Sequence, residues 1–292
     1  MTEAGPEQHA EPTGNRPAFS SLGADYKPPS LEEVQALVPR DEVLGFIGHG
    51  GMGTYYRAHQ SRLDRKVAIK VLLADPEQDA TLIEGFKKEA RSMAKLAHSN
   101  IIKVYDFGEA DSKLFLVMEH VEGDTLELLI QSRGFALKDT ASMLCQVCDA
   151  LEFAHKEGVI HRDLRLGNTM LDAAGNVKVG DFGMARLIGE QLFQQNLIDE
   201  NEAMGTMEYV APEQLDEDGE VDYRADIFSL GVMFYKLATR TLPVDTFVPP
   251  SHFNPDLDPM VDEIVIRCMQ SDPKRRYQKI SEVRDLLAKL AQ

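Results

Sequence analysis

His161-Arg162-Asp163-Leu164-Arg165-Leu166-Gly167-Asn168 is the stretch on which the reading of this chain turns. Upstream of it stands an apolar strand that carries one lysine, Val67-Ala68-Ile69-Lys70, and downstream the triplet Asp181-Phe182-Gly183. Lys70 points opposite to Ile69 and Val71 if the strand alternates. A buried ammonium demands an anion. Glu89 offers one, because the helix expected over residues 80–97 places it beside Phe86 and Met93 on the apolar face. Taken singly, either charge is as readily a solvated surface group.

Further upstream, Gly48-His49-Gly50-Gly51-Met52-Gly53 matches G-x-G-x-x-G, a weak signal alone. Its context narrows it. Thr54-Tyr55-Tyr56-Arg57 follows, β-prone residues that favour a returning strand over the helix of a dinucleotide fingerprint. Gly53-Thr54 also lacks the lysine of a Walker loop. A strand–glycine turn–strand flap remains, whose backbone N–H groups can approach phosphates.

Around these motifs the chain divides. Residues 1–29 are rich in Pro, Gly, Glu and Ser and read as a disordered tail. Residues 30–40 hold a short helix, with a capping box from Ser30 to Glu33 and a stop at Pro39. Its apolar residues Leu31, Val34, Leu37 and Val38 share a face, so it is expected to pack on the domain behind it. A β-rich piece follows to Glu119, then apolar periodicity of the helical kind near 124–131, 139–157, 224–238, 259–270 and 280–290. The expected fold class is α+β, two lobes with a cleft between them, and clefts of that kind bind ligands.

Composition closes off other classes. A net charge of −17 over 292 residues argues against a nucleic-acid partner. The three cysteines, Cys145, Cys148 and Cys268, make no disulfide framework and point to a reducing compartment. Cys145 and Cys148 sit in an apolar-periodic stretch and read as core, since a structural zinc needs four ligands. No signal peptide and no apolar run of membrane-spanning length is evident, so a soluble, cytoplasmic protein without a membrane segment is expected.

These motifs together resemble the protein kinases, and within them the bacterial serine/threonine kinases of eukaryotic type. Gly205-Thr206, Tyr209 and Ala211-Pro212-Glu213 add to the resemblance, as do Asp226 ahead of Ile-Phe-Ser-Leu-Gly and Arg276 after Asp272-Pro273. It covers about residues 41–291: a first lobe at 41–119, a hinge at 119–123 and a second lobe at 124–291. The resemblance implies ATP with Mg²⁺ or Mn²⁺ as cofactors, protein substrates including the chain itself, and a defined set of roles. Asp163 would orient the substrate hydroxyl, while Asn168 and Asp181 would hold the metal, as oxygen ligands suit a hard cation. Lys70, oriented by Glu89, would grip the α- and β-phosphates under the loop of Ile47, Gly48, Gly50 and Gly53. Adenine would lie between Ala68 and Leu171, against Met118 and the backbone from Glu119 to Val121. Thr206 would contact the catalytic aspartate, and the Ala-Pro-Glu segment favours protein over small-molecule substrates. Glu213 and Arg276 would pair, and Asp226 would anchor the catalytic loop.

Four departures stand out. Arg165 replaces the usual lysine, which is not a conservative exchange. Tyr55 replaces the valine that covers adenine, and is expected to crowd the base. Residues 184–205 contain no Ser, Thr or Tyr, so Asp199, Glu200 or Glu202 is the expected partner of Arg162 in place of a phosphate. Residues 241–260 carry too many prolines for a long helix. Tyr55 and Arg165 keep a second reading in view, a pseudokinase acting as a nucleotide-binding or interaction module.

Overall fold

The computed structural model describes residues 27–50, 53–72, 80–111, 113–184, 207–216, 219–243 and 247–292. Expectations that fall on residues 1–26, on Gly51 and Met52, and on 185–206 with Thr206, Asp199, Glu200 and Glu202, lie outside the described residues.

Helix α1 (Leu31–Leu37) opens with both bonds of its capping box. Glu33 donates its N–H to Ser30 Oγ at 3.2 Å, and Ser30 donates to Glu33 Oε2 at 2.7 Å. Five antiparallel strands follow: β1 (Glu42–Gly50), β2 (Gly53–Gln60), β3 (Arg65–Leu72), β4 (Val104–Ala110) and β5 (Lys113–Glu119), ordered β1-β2-β3-β5-β4. The two-residue period of a strand sorts their side chains onto two faces. Tyr56, Ala58, Val67, Ile69, Val71 and Val117 form the outer face, and Val34, Leu37 and Val38 pack on it. Leu31 does not join them and stays exposed. The inner face, with Ala68, Leu72, Leu114, Leu116 and Met118, receives Phe86, Ala90 and Met93 of helix α2 (Ala80–Met93).

Polar contacts fasten α1. The Gln35 amide donates to Asp41 O at 2.7 Å and accepts from Val43 N at 3.0 Å, and the Tyr56 hydroxyl donates to Pro29 O at 2.5 Å. A chain starting at Arg40 should therefore melt below one starting at Lys27. Each buried aliphatic side chain contributes about 1.5–3 kcal/mol, and a domain of this size shifts about 2–4 °C per kcal/mol, so a drop of at least ~5 °C is expected. Equal melting curves would show that the packing adds no stability.

The second lobe is helical: α3 (Leu126–Ser132), α4 (Leu137–Lys156), α5 (Arg224–Thr239), a single turn α6 (Pro250–Phe253), α7 (Pro259–Cys268) and α8 (Ile280–Leu290). Helix α5 is buried along nearly its whole length, as suits its continuous apolar sequence. The prolines of 241–260 leave α6 as the only helix among the described residues of that stretch that does not run on past it. Cys148 and Cys268 are buried, Cys145 is partly so, and all three are free thiols. A small sheet of β6 (Gly123–Thr125), β7 (Thr169–Asp172) and β8 (Val177–Val179) lines the side of this lobe that faces the cleft. Asn100 and Ile102 join the two lobes by backbone bonds to Val179 at 2.8 and 2.9 Å.

Candidate active site

The catalytic-loop stretch is held by one buried carboxylate. Asp226, at the start of α5, accepts His161 N and Arg162 N at 2.9 Å each, and His155 Nε2 at 2.7 Å. Burial alone would raise the Asp226 pKa, yet His155 and these donors keep it below the usual aspartate value. The anchoring matters because Arg162 has a positive φ of 66°, a conformation a side chain adopts only when its surroundings enforce it. His155 was not singled out from sequence. Its place in the last turn of the helix, one residue after the buried Ala154, is the signal that was available.

Asp163 is buried at the floor of the cleft, and the Asn168 amide nitrogen donates to its backbone O at 2.8 Å and its Oδ2 at 2.7 Å. Burial pushes the Asp163 carboxyl above its ordinary pKa, although Arg165, His161 and Asn168 pull the other way. Arg165 folds over Gly167: a Cβ built there would meet Nη2 at 3.0 Å. The glycine thus gives the guanidinium room that a bulkier residue would contest.

Backbone bonds join the loop to the second motif. Gly180 N donates to Asn168 O at 2.9 Å and Gly183 N to His161 O at 3.2 Å. Phe182 turns into the core, its ring 4.5 Å from that of His161, and Asp181 is left facing the first lobe with a positive φ of 61°.

Lys70 is fully buried, and its partner is not the expected one. Its Nζ donates to Asp181 Oδ1 at 2.7 Å, and no ion pair joins it to Glu89 among the described residues. The Glu89 carboxylate lies instead against Gly183, with Oε2 2.9 Å from where a Cβ would stand. Of the two carboxylates, Asp181 is the one paired with the ammonium. Burial pulls the Lys70 pKa down, but Asp181 more than offsets this and the amine stays charged. The same pair holds Asp181 below the usual carboxylate range against the effect of burial.

Tyr55 has a partner that the sequence did not suggest. Its hydroxyl donates to Asp181 Oδ2 at 2.9 Å. Burial and the Asp181 carboxylate push its phenol pKa up.

Of the remaining predicted residues, Ala68 on β3 pairs with Met118 on β5, and Leu171 on β7 is partly buried and packs against the core that includes them. Behind Met118 an apolar recess is lined by Met93, Leu96, Leu116 and Phe182, with Asp181 at its edge. Ile47, Gly48 and Gly50 belong to β1, and Gly53 opens β2 so close to Val71 O that a Cβ would sit 2.5 Å away. Glu119, followed by Val121 in the connection to the second lobe, receives Lys178 Nζ at 2.6 Å. Lys178 was missed, although a lysine between two buried valines is the same signal that singled out Lys70.

The oxygen donors fit a hard cation. Asn168 spends its amide nitrogen on Asp163, which leaves its amide oxygen available, and Asp181 supplies a carboxylate that is charged where it stands. No cluster of three or more His, Cys, Asp or Glu suited to a metal occurs among the described residues. The arrangement suits an ion held jointly with phosphates rather than by a protein cage.

Comparison with known proteins identifies the family. The family model described as protein kinase domain matches residues 42–292. A probable serine/threonine-protein kinase of Streptomyces coelicolor is 37% identical over 273 residues, covering 87% of this chain and 40% of that protein. Serine/threonine-protein kinase PknB of Mycobacterium tuberculosis is 35% identical over 268 residues, covering 85% of this chain and 42% of its own length. The chain thus spans well under half the length of these curated relatives. Among solved structures, the PknI kinase domain of Mycobacterium tuberculosis superimposes with a TM-score of 0.71 at 26% identity, covering 86% of this chain and 96% of that one.

Proposed function

The chain belongs to the protein kinase family, and on that premise we propose that it transfers the γ-phosphate of ATP to serine or threonine hydroxyls of proteins, itself included. One observation carries the reading: Asp163, Asn168, Asp181 and Lys70 converge at one mouth between the lobes. Phosphoryl transfer asks chiefly for positioning and charge neutralisation. Lys70 is the cation for the α- and β-phosphates, and Asn168 and Asp181 are the ligands for Mg²⁺ or Mn²⁺. Such an ion would neutralise charge between neighbouring phosphates. Asp163 orients the acceptor hydroxyl and receives its proton.

Ala68, Met118 and Leu171 provide an apolar slot for adenine beside Glu119 and Val121, and Ile47, Gly48, Gly50 and Gly53 form its roof. Arg165 supplies positive charge near Asp163. Thr206 is the residue proposed to read the acceptor side. No described helix is long and apolar enough to cross a membrane. The free thiols and the need for ATP suit the cytoplasm. Nothing in the charge of −17 suits a nucleic acid.

The test is transfer from labelled ATP with Mg²⁺ to a generic protein acceptor and to the chain itself, followed by phosphoamino-acid analysis. Label on serine or threonine is expected. Nucleotide binding without any transfer would favour the pseudokinase reading, and label on tyrosine would overturn the substrate class.

A further inference from the structure

Tyr55 and Lys70 stand directly opposite one another on β2 and β3, so the pleat puts both on the cleft face. Lys70 Nζ lies 5.2 Å from the centre of the Tyr55 ring. The two oxygens of Asp181 are divided between them, Oδ1 to Lys70 at 2.7 Å and Oδ2 to the Tyr55 hydroxyl at 2.9 Å. On the hairpin side, a Cβ built on Gly50 would stand 3.9 Å from Tyr55 Cε2, an ordinary contact distance. The ring therefore fills the volume bounded by the glycine hairpin, the lysine ammonium and the Asp181 carboxylate. In the reading given above, that volume belongs to the phosphates.

We propose that Tyr55 is a latch, closed in the free protein, that competes with a metal–nucleotide complex for Asp181 and for the space beside Lys70. This rests on the nucleotide reading of the site and adds to it a residue that sets affinity. A cation that ligates Asp181 competes with the hydroxyl for an oxygen that is now engaged. Phosphates under the hairpin need the space of the ring, so the ring has to turn out. Gly48, the register partner of Tyr55 on β1, leaves open space beside it, since a Cβ there would meet nothing within 4 Å. Closure lowers apparent affinity by the fraction of molecules that are open, and a ligand opens the latch only through its preference for the open form. Because the contact links β2 to the segment after β8, it also ties the two lobes together while no nucleotide is bound.

The hydroxyl bond holds the latch shut and the ring occupies the space, so two substitutions test them. Tyr55→Phe frees Oδ2 but keeps the ring; Tyr55→Val removes both. The experiment measures ADP binding to the full chain by calorimetry, with and without Mg²⁺, alongside melting of the free protein. Tyr55→Phe should melt below wild type when free, yet bind Mg²⁺–ADP about threefold to tenfold more tightly, the scale of one net intramolecular hydrogen bond. Its affinity for ADP without metal should rise as well, because losing the hydroxyl bond raises the open fraction, and Tyr55→Val, which removes the ring too, should bind ADP more tightly than wild type under both conditions. Equal or weaker Mg²⁺–ADP binding by Tyr55→Phe overturns the latch, and so does unchanged metal-free binding by Tyr55→Val. Failure of wild type and both variants to bind ADP at all would sink the nucleotide reading, and the latch with it.

Discussion

Replacing Asp163 by Asn should cut phosphate transfer by about 10²–10⁴-fold, the usual contribution of a positioned general base, while ADP binding stays within twofold or so of wild type. The substitution is nearly isosteric, and its amide oxygen can still accept from Asn168 as Oδ2 does now. The fold should not suffer. Asp163 is buried and its pKa is raised chiefly by that burial, so the ionised form is held at a cost that Asn does not incur. The melting temperature is expected to stay level or rise slightly. A pH dependence follows from the same shift. The base works ionised, and a raised pKa moves the acid limb of the rate profile above the ordinary aspartate value of ~3.9. Single-turnover rates and calorimetry on the same preparation check all of this. A variant that transfers phosphate at the wild-type rate would remove Asp163 from the proposed chemistry.

The largest stability effect is expected from Arg276→Ala, far from the cleft. Arg276 is 1% exposed, and its guanidinium meets Glu213 bidentately at 2.6 and 2.7 Å. It also donates to the carbonyls of Gln270, Arg224 and Ser271 at 2.7, 2.9 and 3.2 Å. All five N–H groups of the fork are thereby used. Truncation leaves the Glu213 carboxylate and three carbonyls short of a donor in a buried place. Breaking a buried pair from one side costs about 3–5 kcal/mol, a melting drop on the order of 10 °C at ~2–4 °C per kcal/mol. Arg276→Lys should recover only part, because an ammonium cannot reproduce the fork. Glu213 closes the Ala-Pro-Glu segment, so acceptor phosphorylation should fall further than nucleotide affinity. Melting curves within ~2 °C of wild type would show that the pair is not structural.

The chain alone determined the architecture. Strand alternation around Lys70, the Ser30–Glu33 capping box, the helical periods after Gly123 and the prolines after Leu242 are local patterns, and local patterns follow from backbone geometry that any chain obeys. The groups proposed to act, Asp163, Asn168, Asp181 and Lys70, could be named from the sequence by type and order. Which of them touch is another matter. In the sequence Glu89 and Asp181 are both carboxylates that could serve one lysine; in the fold Asp181 pairs with it and Glu89 lies against Gly183. The pleat places Tyr55 on the cleft face, but the destination of its hydroxyl depends on an aspartate brought there by the other lobe. His155 and Lys178 found their partners, Asp226 and Glu119, in the same way. Sequence period tells a side chain which face it occupies, because that is a property of its own backbone. The partner across a cleft is a property of two elements distant in the chain, and only tertiary packing supplies it.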